Sequence, residues 1–145
     1  DLPKDLVFAI MVPDFPVSTE DSRKVLPDMY TKTDAVFNAS RAALLVASIY
    51  AGDYENLAMA MQDRIHQPYR SQLIPDMDRI FKAAKNYGAL ATYLSGAGST
   101  LMAVLTDDKT EVFQQKMAAY LKAIPNEWQL TLLKPDTKGA QLIAE

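Results

Sequence analysis

Tyr93-Leu-Ser-Gly-Ala-Gly-Ser-Thr-Leu-Met-Ala-Val-Leu105 sets a glycine-containing bend between two apolar segments of strand-like composition. Gly96 and Gly98, with Ala97 between them, can take positive φ at little cost, so successive N–H groups can turn into one concavity and receive an anion. Ser95, Ser99 and Thr100 add hydroxyls around the same spot. A dinucleotide fingerprint or a Walker loop needs its glycines between a strand and a helix N-terminus. Here Leu101 to Leu105 run straight into a second apolar segment. The stretch therefore reads as strand, bend, strand, and taken alone such a unit is most often a tight sheet connection.

Working outward, Leu6-Val-Phe-Ala-Ile-Met-Val12 is continuously apolar and β-rich, the pattern of a central strand covered on both faces. Ser18 has the character of an N-cap, Glu20 and Asp21 suit the first turn of the helix it opens, and Pro27 stops that helix. Asp34 to Ala51 predicts a helix apolar nearly all round and hence buried on most sides, with Asn38 and Arg41 three residues apart on one face. Gly52-Asp53 ends it, and Leu57, Ala58, Met61 and Ile65 predict another helix. His66-Gln-Pro-Tyr-Arg70 reads as a compact loop locked by Pro68. Pro75 and Asp76 open an amphipathic helix carrying Met77, Ile80, Phe81 and Ala84, with Gly88 at its C′ position.

Downstream of the bend, Asp108 and Glu111 predict a capping box, followed by a helix through Val112, Phe113, Met117, Tyr120, Leu121 and Ile124 that Pro125 ends. Trp128 to Leu132 alternates as a half-buried strand does. A polar tail from Lys134 to Gly139 leads to Ala140-Gln-Leu-Ile143. Strand, helices, strand, strand, helix, strand is the order of an α+β domain of the ferredoxin-like split β-α-β type, with extra helices inserted in the first crossover. No linker composition divides residues 1–145, so one domain is expected.

Composition narrows the chemistry. Net charge is −3 with Lys and Arg scattered, which argues against nucleic acid and polybasic membrane contact. Cys is absent and His66 is the sole histidine, which removes thiolate and His-rich metal sites. The longest apolar run, near Ala42 to Ala47, is far short of the ~20 residues of a membrane span.

Three features could hold an anion: the bend, Arg41 beside Asn38, and Arg70 in its proline-locked loop. Guanidinium geometry matches a carboxylate bidentately, and an Arg on a mostly buried helix needs a partner, either a ligand or an internal acid. The commoner reading of Arg70 is a solvated loop residue, and that of His66 a structural histidine, since no nucleophile pattern accompanies it. Asp53, Glu55 and Asp63 read as a cap and a solvated helix face. No carboxylate pair stands out as general acid and base, and no metal-holding half of a phosphoryl-transfer site is visible.

Asp34-Ala-Val-Phe-Asn-Ala-Ser-Arg-Ala-Ala-Leu-Leu45, His66-Gln-Pro-Tyr-Arg70 and Tyr93-Leu-Ser-Gly-Ala-Gly-Ser-Thr100, in this order, closely resemble the C-terminal half of bacterial homoserine kinases, members of the galactokinase, homoserine kinase, mevalonate kinase and phosphomevalonate kinase superfamily. The resemblance spans essentially the whole chain. It implies a cytoplasmic enzyme of threonine biosynthesis that phosphorylates the L-homoserine hydroxyl with ATP and Mg. It places Arg41 and Arg70, with Asn38 more weakly, on the substrate carboxylate, His66 behind them, and Ser95 to Thr100 against the nucleotide-phosphate loop. That loop belongs to an N-terminal domain absent from these residues, so no catalytic residue is expected in this piece. ATP and Mg would be held mainly by that partner domain, the piece alone would be inactive, and a homodimer through the bared face is a further expectation. A free-standing regulatory domain that binds an amino acid or a small anion is the alternative reading.

Overall fold

The computed structural model describes residues 3–142; Ile143 of the tail reading lies outside the described residues. Four antiparallel strands, β1 (Leu6–Pro13), β2 (Ala91–Leu94), β3 (Leu101–Thr106) and β4 (Trp128–Leu133), form one sheet in the order β2-β3-β1-β4. β1 pairs with β3 through Ala9 opposite Ala103 and with β4 through Ala9 opposite Leu132. This is the split β-α-β topology expected from the element order, with β1 central.

Alternation along the strands sends two sets of side chains to two faces. Val7, Ala9, Met11, Leu101, Ala103 and Leu105 are buried on one face beneath helices α5 (Met77–Asn86) and α6 (Thr110–Ala123), which contribute Met77, Ile80, Ala83, Ala84, Phe113, Met117 and Leu121. On β4, Trp128, Leu130 and Leu132 pack on the same core while the residues between them face outward. The opposite face carries a smaller cluster of Leu6, Ala91 and Val104 with Leu57 of α3 (Leu57–Ala60). Leu45 and Ile49 of α2 (Lys32–Ala51) pack against that cluster.

Helix ends follow the local chemistry with some departures. Ser18 caps α1 (Thr19–Lys24), its Oγ accepting from the Asp21 N–H at 2.9 Å, and Gly52, at φ 68°, ends α2. The helix predicted through Ile65 stops at Ala60, and His66 to Arg70 is not a simple loop: Gln67–Arg70 forms a single turn, α4, with Pro68 in its first turn. Pro suits that position because its missing N–H has no helical partner to lose there. The capping box at Asp108 does not form; a 3-10 turn over Asp107–Lys109 enters α6, and Asp108 accepts from the Thr106 hydroxyl instead.

The largest departure concerns α2. Only one half of it is covered. Phe37, Asn38, Arg41, Leu45, Ser48 and Ile49 face inward or are half-buried, while Val36, Ala39, Ala43, Val46, Ala47 and Tyr50 lie in the open. Val46 is 70% and Tyr50 94% exposed. The apolar composition called for burial on most sides, and this chain supplies cover for one.

Candidate functional site

The bend between β2 and β3 closes on itself: Ser95 N–H donates to Thr100 C=O at 3.0 Å, and Gly98 N–H to Ser95 C=O at 2.9 Å. Gly96 and Gly98 sit at φ 54° and 93°, as their positions require. A Cβ on Gly98 would lie 3.0 Å from Ile74 Cδ1 and 3.3 Å from Leu94 Cδ1, so this glycine is needed for space as well as for φ. The outward carbonyls are gripped from two directions. Ser22 of α1, fully buried, donates its hydroxyl to Ala97 C=O at 2.6 Å, and Arg70 donates from Nη1 to Gly96 C=O at 2.9 Å. Ser99 Oγ donates to Phe15 C=O at 3.0 Å.

Arg70 is therefore neither a solvated loop residue nor the partner of an internal acid. Its Nε also donates to Ser22 C=O at 3.1 Å, so one guanidinium clamps α1 and the bend together. Its Nη1 stands 3.4 Å from His66 Nδ1. Since the guanidinium can only donate, Nδ1 is the acceptor and the imidazole proton sits on Nε2. Burial first, and the Arg70 charge with it, outweigh the Asp63 charge and hold the His66 pKa below its ordinary value, so the ring is neutral at pH 7.

Arg41 has a different environment. Its guanidinium lies over the Phe37 ring at 4.3 Å from the centroid, and Arg64 lies over the same ring at 3.9 Å. Arg41 Nε is buried and has no hydrogen-bond partner, and among the described residues no carboxylate pairs with it. Arg41 lines a hollow of about 380 Å³ with Asn38, Asp63, His66, Gln67, Tyr93 and Leu94 among its walls. Arg70 lies outside that lining and is joined to it through His66 and the bend. Asn38 is spent on structure: Nδ2 donates to Asp63 Oδ1 at 2.6 Å, and Oδ1 accepts from the Arg64 N–H at 2.9 Å.

The structure thus gathers Asn38, Arg41 and His66 around one hollow and ties Arg70 to Ser95–Thr100 beside it. Three participants are additional to those read from sequence. Ser22 has no distinguishing signal in the chain. Gln67 accepts the Leu94 N–H on Oε1 at 2.8 Å, bonding α4 to the last residue of β2. Asp63, read as part of a solvated face, is only 7% exposed at its side chain; its spacing ahead of a Pro-containing first turn is the clue that could have found it. Among the described residues no group of three acidic or imidazole side chains is placed to hold a metal, and no helix is long and apolar enough to cross a membrane.

Residues 45–123 match the family model described as GHMP kinases C terminal. The homoserine kinase of Clostridium kluyveri is 46% identical over 143 residues, covering 99% of this chain and 47% of that protein. That of Clostridium acetobutylicum is 48% identical over 138 residues, covering 95% and 46%. The chain spans about half the length of the curated relatives it matches. The crystal structure of homoserine kinase from Cytophaga hutchinsonii superposes with a TM-score of 0.84 at 32% identity, covering 90% of this chain and 42% of that one. Mevalonate kinase of L. major, at 16% identity and a TM-score of 0.64 over 91% of this chain, shares the fold.

Proposed function

This chain belongs to the GHMP kinases C-terminal family, and we propose that it is the substrate-facing half of a homoserine kinase, which transfers the terminal phosphoryl group of ATP to the side-chain hydroxyl of L-homoserine. The observation that carries the reading is Arg41: a buried guanidinium Nε with neither hydrogen-bond partner nor acid among the described residues, in a hollow wide enough for an amino acid. A donor left unmet in the interior costs about 1–3 kcal/mol unless something arrives to accept from it. An α-carboxylate does so, and it also neutralises the charge. Arg70, with Nη2 unengaged among the described residues, completes the anion-binding wall from the side of the bend, and Asn38 and His66 shape the space between.

Ser95 to Thr100 serves the nucleotide side. Arg70 and Ser22 hold the outward carbonyls of Gly96 and Ala97, which fixes the bend as a firm backing for a phosphate-binding loop contributed by another part of the polypeptide. ATP is held chiefly there. Mg, bound with ATP, would take its ligands from that other part; the described residues hold no cluster of three acidic or imidazole side chains placed to hold a metal. The covering part would be an N-terminal half; the greater length of the relatives supports this, and the bare half of α2, with Val36, Val46 and Tyr50 at 58%, 70% and 94% exposed, is a surface suited to it.

The 145-residue chain is expected to show no homoserine-dependent ATP turnover. Placing the upstream half of the Clostridium kluyveri relative in front of it restores turnover. In that protein Arg41→Ala raises KM for L-homoserine roughly tenfold to a hundredfold, the worth of a charge-assisted bidentate contact. An unchanged KM overturns the assignment of Arg41 to the carboxylate, and tight, selective L-homoserine binding by the 145-residue chain without any turnover in the joined protein overturns the kinase reading in favour of an amino-acid sensor.

A further inference from the structure

Asp63 is a carboxylate taken almost wholly out of water, and among the described residues no Lys or Arg pairs with it; His66 Nε2, 3.8 Å away, belongs to a neutral ring. Such a group persists only if hydrogen-bond donors surround it. Three do. Asn38 Nδ2 reaches Oδ1 at 2.6 Å, and the main-chain N–H groups of His66 and Gln67 reach Oδ2 at 2.8 and 2.6 Å. Burial pushes the Asp63 pKa up, but these three bonds pull harder and leave it below its ordinary value.

The donors come from two parts of the site. Asn38 lies one helical turn from Arg41 on α2. His66 and Gln67 open α4, whose last residue is Arg70. Gln67 in turn holds the Leu94 N–H, and Arg70 holds Gly96 C=O and Ser22 C=O. Displacing the carboxylate therefore moves α2 relative to α4, and α4 relative to the bend. We propose that Asp63 is the positioning residue of the site: through its three hydrogen bonds it sets the separation between Arg41 on one side and Arg70 with the glycine bend on the other. That these groups face L-homoserine rests on the reading above; the positional claim is tested without any ligand.

The polarity of the Asn38–Asp63 contact supplies the test. Asp63→Asn sets one amide N–H₂ against another, and flipping Asn38 only moves the conflict to the Arg64 N–H. Adding Asn38→Asp reverses donor and acceptor: the carboxylate introduced at 38 accepts from Arg64 N–H and from the amide introduced at 63. The carbonyl of that amide still accepts from His66 and Gln67. In the 145-residue chain, amide exchange at His66, Gln67 and Leu94 is expected to quicken roughly tenfold or more in Asp63→Asn, with the Arg70 Nε–H resonance displaced. Exchange in α5 and α6 stays as in the wild type. The double variant returns both readings to wild-type values.

Should the single variant fail to fold, the double variant decides alone: recovery of the fold and of slow exchange at Leu94 supports the assignment, and failure to recover overturns it. Wild-type exchange in a folded Asp63→Asn chain overturns it as well. Titration with L-homoserine separates the two readings. In the joined protein, an Arg70 Nε–H resonance that ignores L-homoserine counts against the kinase reading and leaves the positioning role intact.

Discussion

α5 and α2 lie on opposite faces of one sheet and could hardly be finished more differently. α5 buries Met77, Ile80, Ala83 and Ala84 and turns Asp78, Arg79, Lys82 and Lys85 to water. α2 buries Ser48 fully, half-buries Leu45 and Ile49, and turns Val36, Ala39, Ala43, Val46 and Tyr50 outward. An isolated exposed valine is ordinary; four turns of helix without a charge on the open side are not. One face of the domain is complete in itself, and the other is built to be completed. The site sits at the boundary, with Arg41 on the unfinished helix and the glycine bend backed by Ile74 of the finished core.

Truncation measures that difference most directly. Ile80→Ala, at a fully buried position of α5, is expected to cost the 145-residue chain about 2–5 kcal/mol in urea unfolding, whereas Val46→Ala on α2 should stay within about 0.5 kcal/mol. Joined to an upstream half, the protein should bring Val46→Ala up to about 1 kcal/mol or more, because the side chain is then buried and its removal leaves a void. Equal costs at the two positions in the short chain would erase the distinction, and an unchanged cost in the longer one would leave α2 without a cover.

The glycine bend belongs to the finished side, and Gly98 tests how firmly. Gly98→Ala combines positive φ with a methyl pressed on Ile74 and Leu94, for an expected loss of about 1–3 kcal/mol. Gly96→Ala meets no atom within 4 Å and should cost only the left-handed penalty, about 1–2 kcal/mol. Thermal unfolding of the two variants gives the order; a smaller loss at position 98 would mean that the core yields around the bend.

How much of this was legible in the sequence follows the same division. β1, the bend, α5 and α6 were readable because their partners are in the chain, so hydrophobic periodicity and burial agree. β4 was readable for the same reason, Trp128, Leu130 and Leu132 alternating toward the core. α2 was read as enclosed since composition reports the surroundings a helix is made for and cannot say whether they are present. The site was legible in its charges and opaque in its wiring. Arg41, Arg70 and the glycines stand out by type, but Ser22 and Gln67 matter through single hydrogen bonds to main chain 75 and 27 residues away. Asp63 was misjudged because its burial depends on α2 arriving beside it, a tertiary event that no local pattern reports.

Acidification gives the smallest effect expected and the one most specific to the unfinished side. Burial and the Arg70 charge hold the folded-state pKa of His66 below 6.5 despite Asp63. Between these two values the unfolded chain binds a proton that the folded chain refuses. The stability His66 contributes is therefore fully present above pH 6.5 and is lost as pH falls toward the folded pKa. Asp63 adds a second loss at lower pH: its folded pKa lies below 3.8, so its contribution persists above that value and disappears as pH falls through the folded one. Urea unfolding should thus weaken from pH 7 to pH 5, and His66→Gln should flatten that interval while leaving the drop below pH 4 in place. Native-state amide exchange over the same titration locates the loss, since α4 and the inner face of α2 should open before Ile80 to Ala84 of α5. Simultaneous opening of both faces would mean that the sheet couples them, and that the site is anchored in the core more firmly than the divided burial of α2 implies.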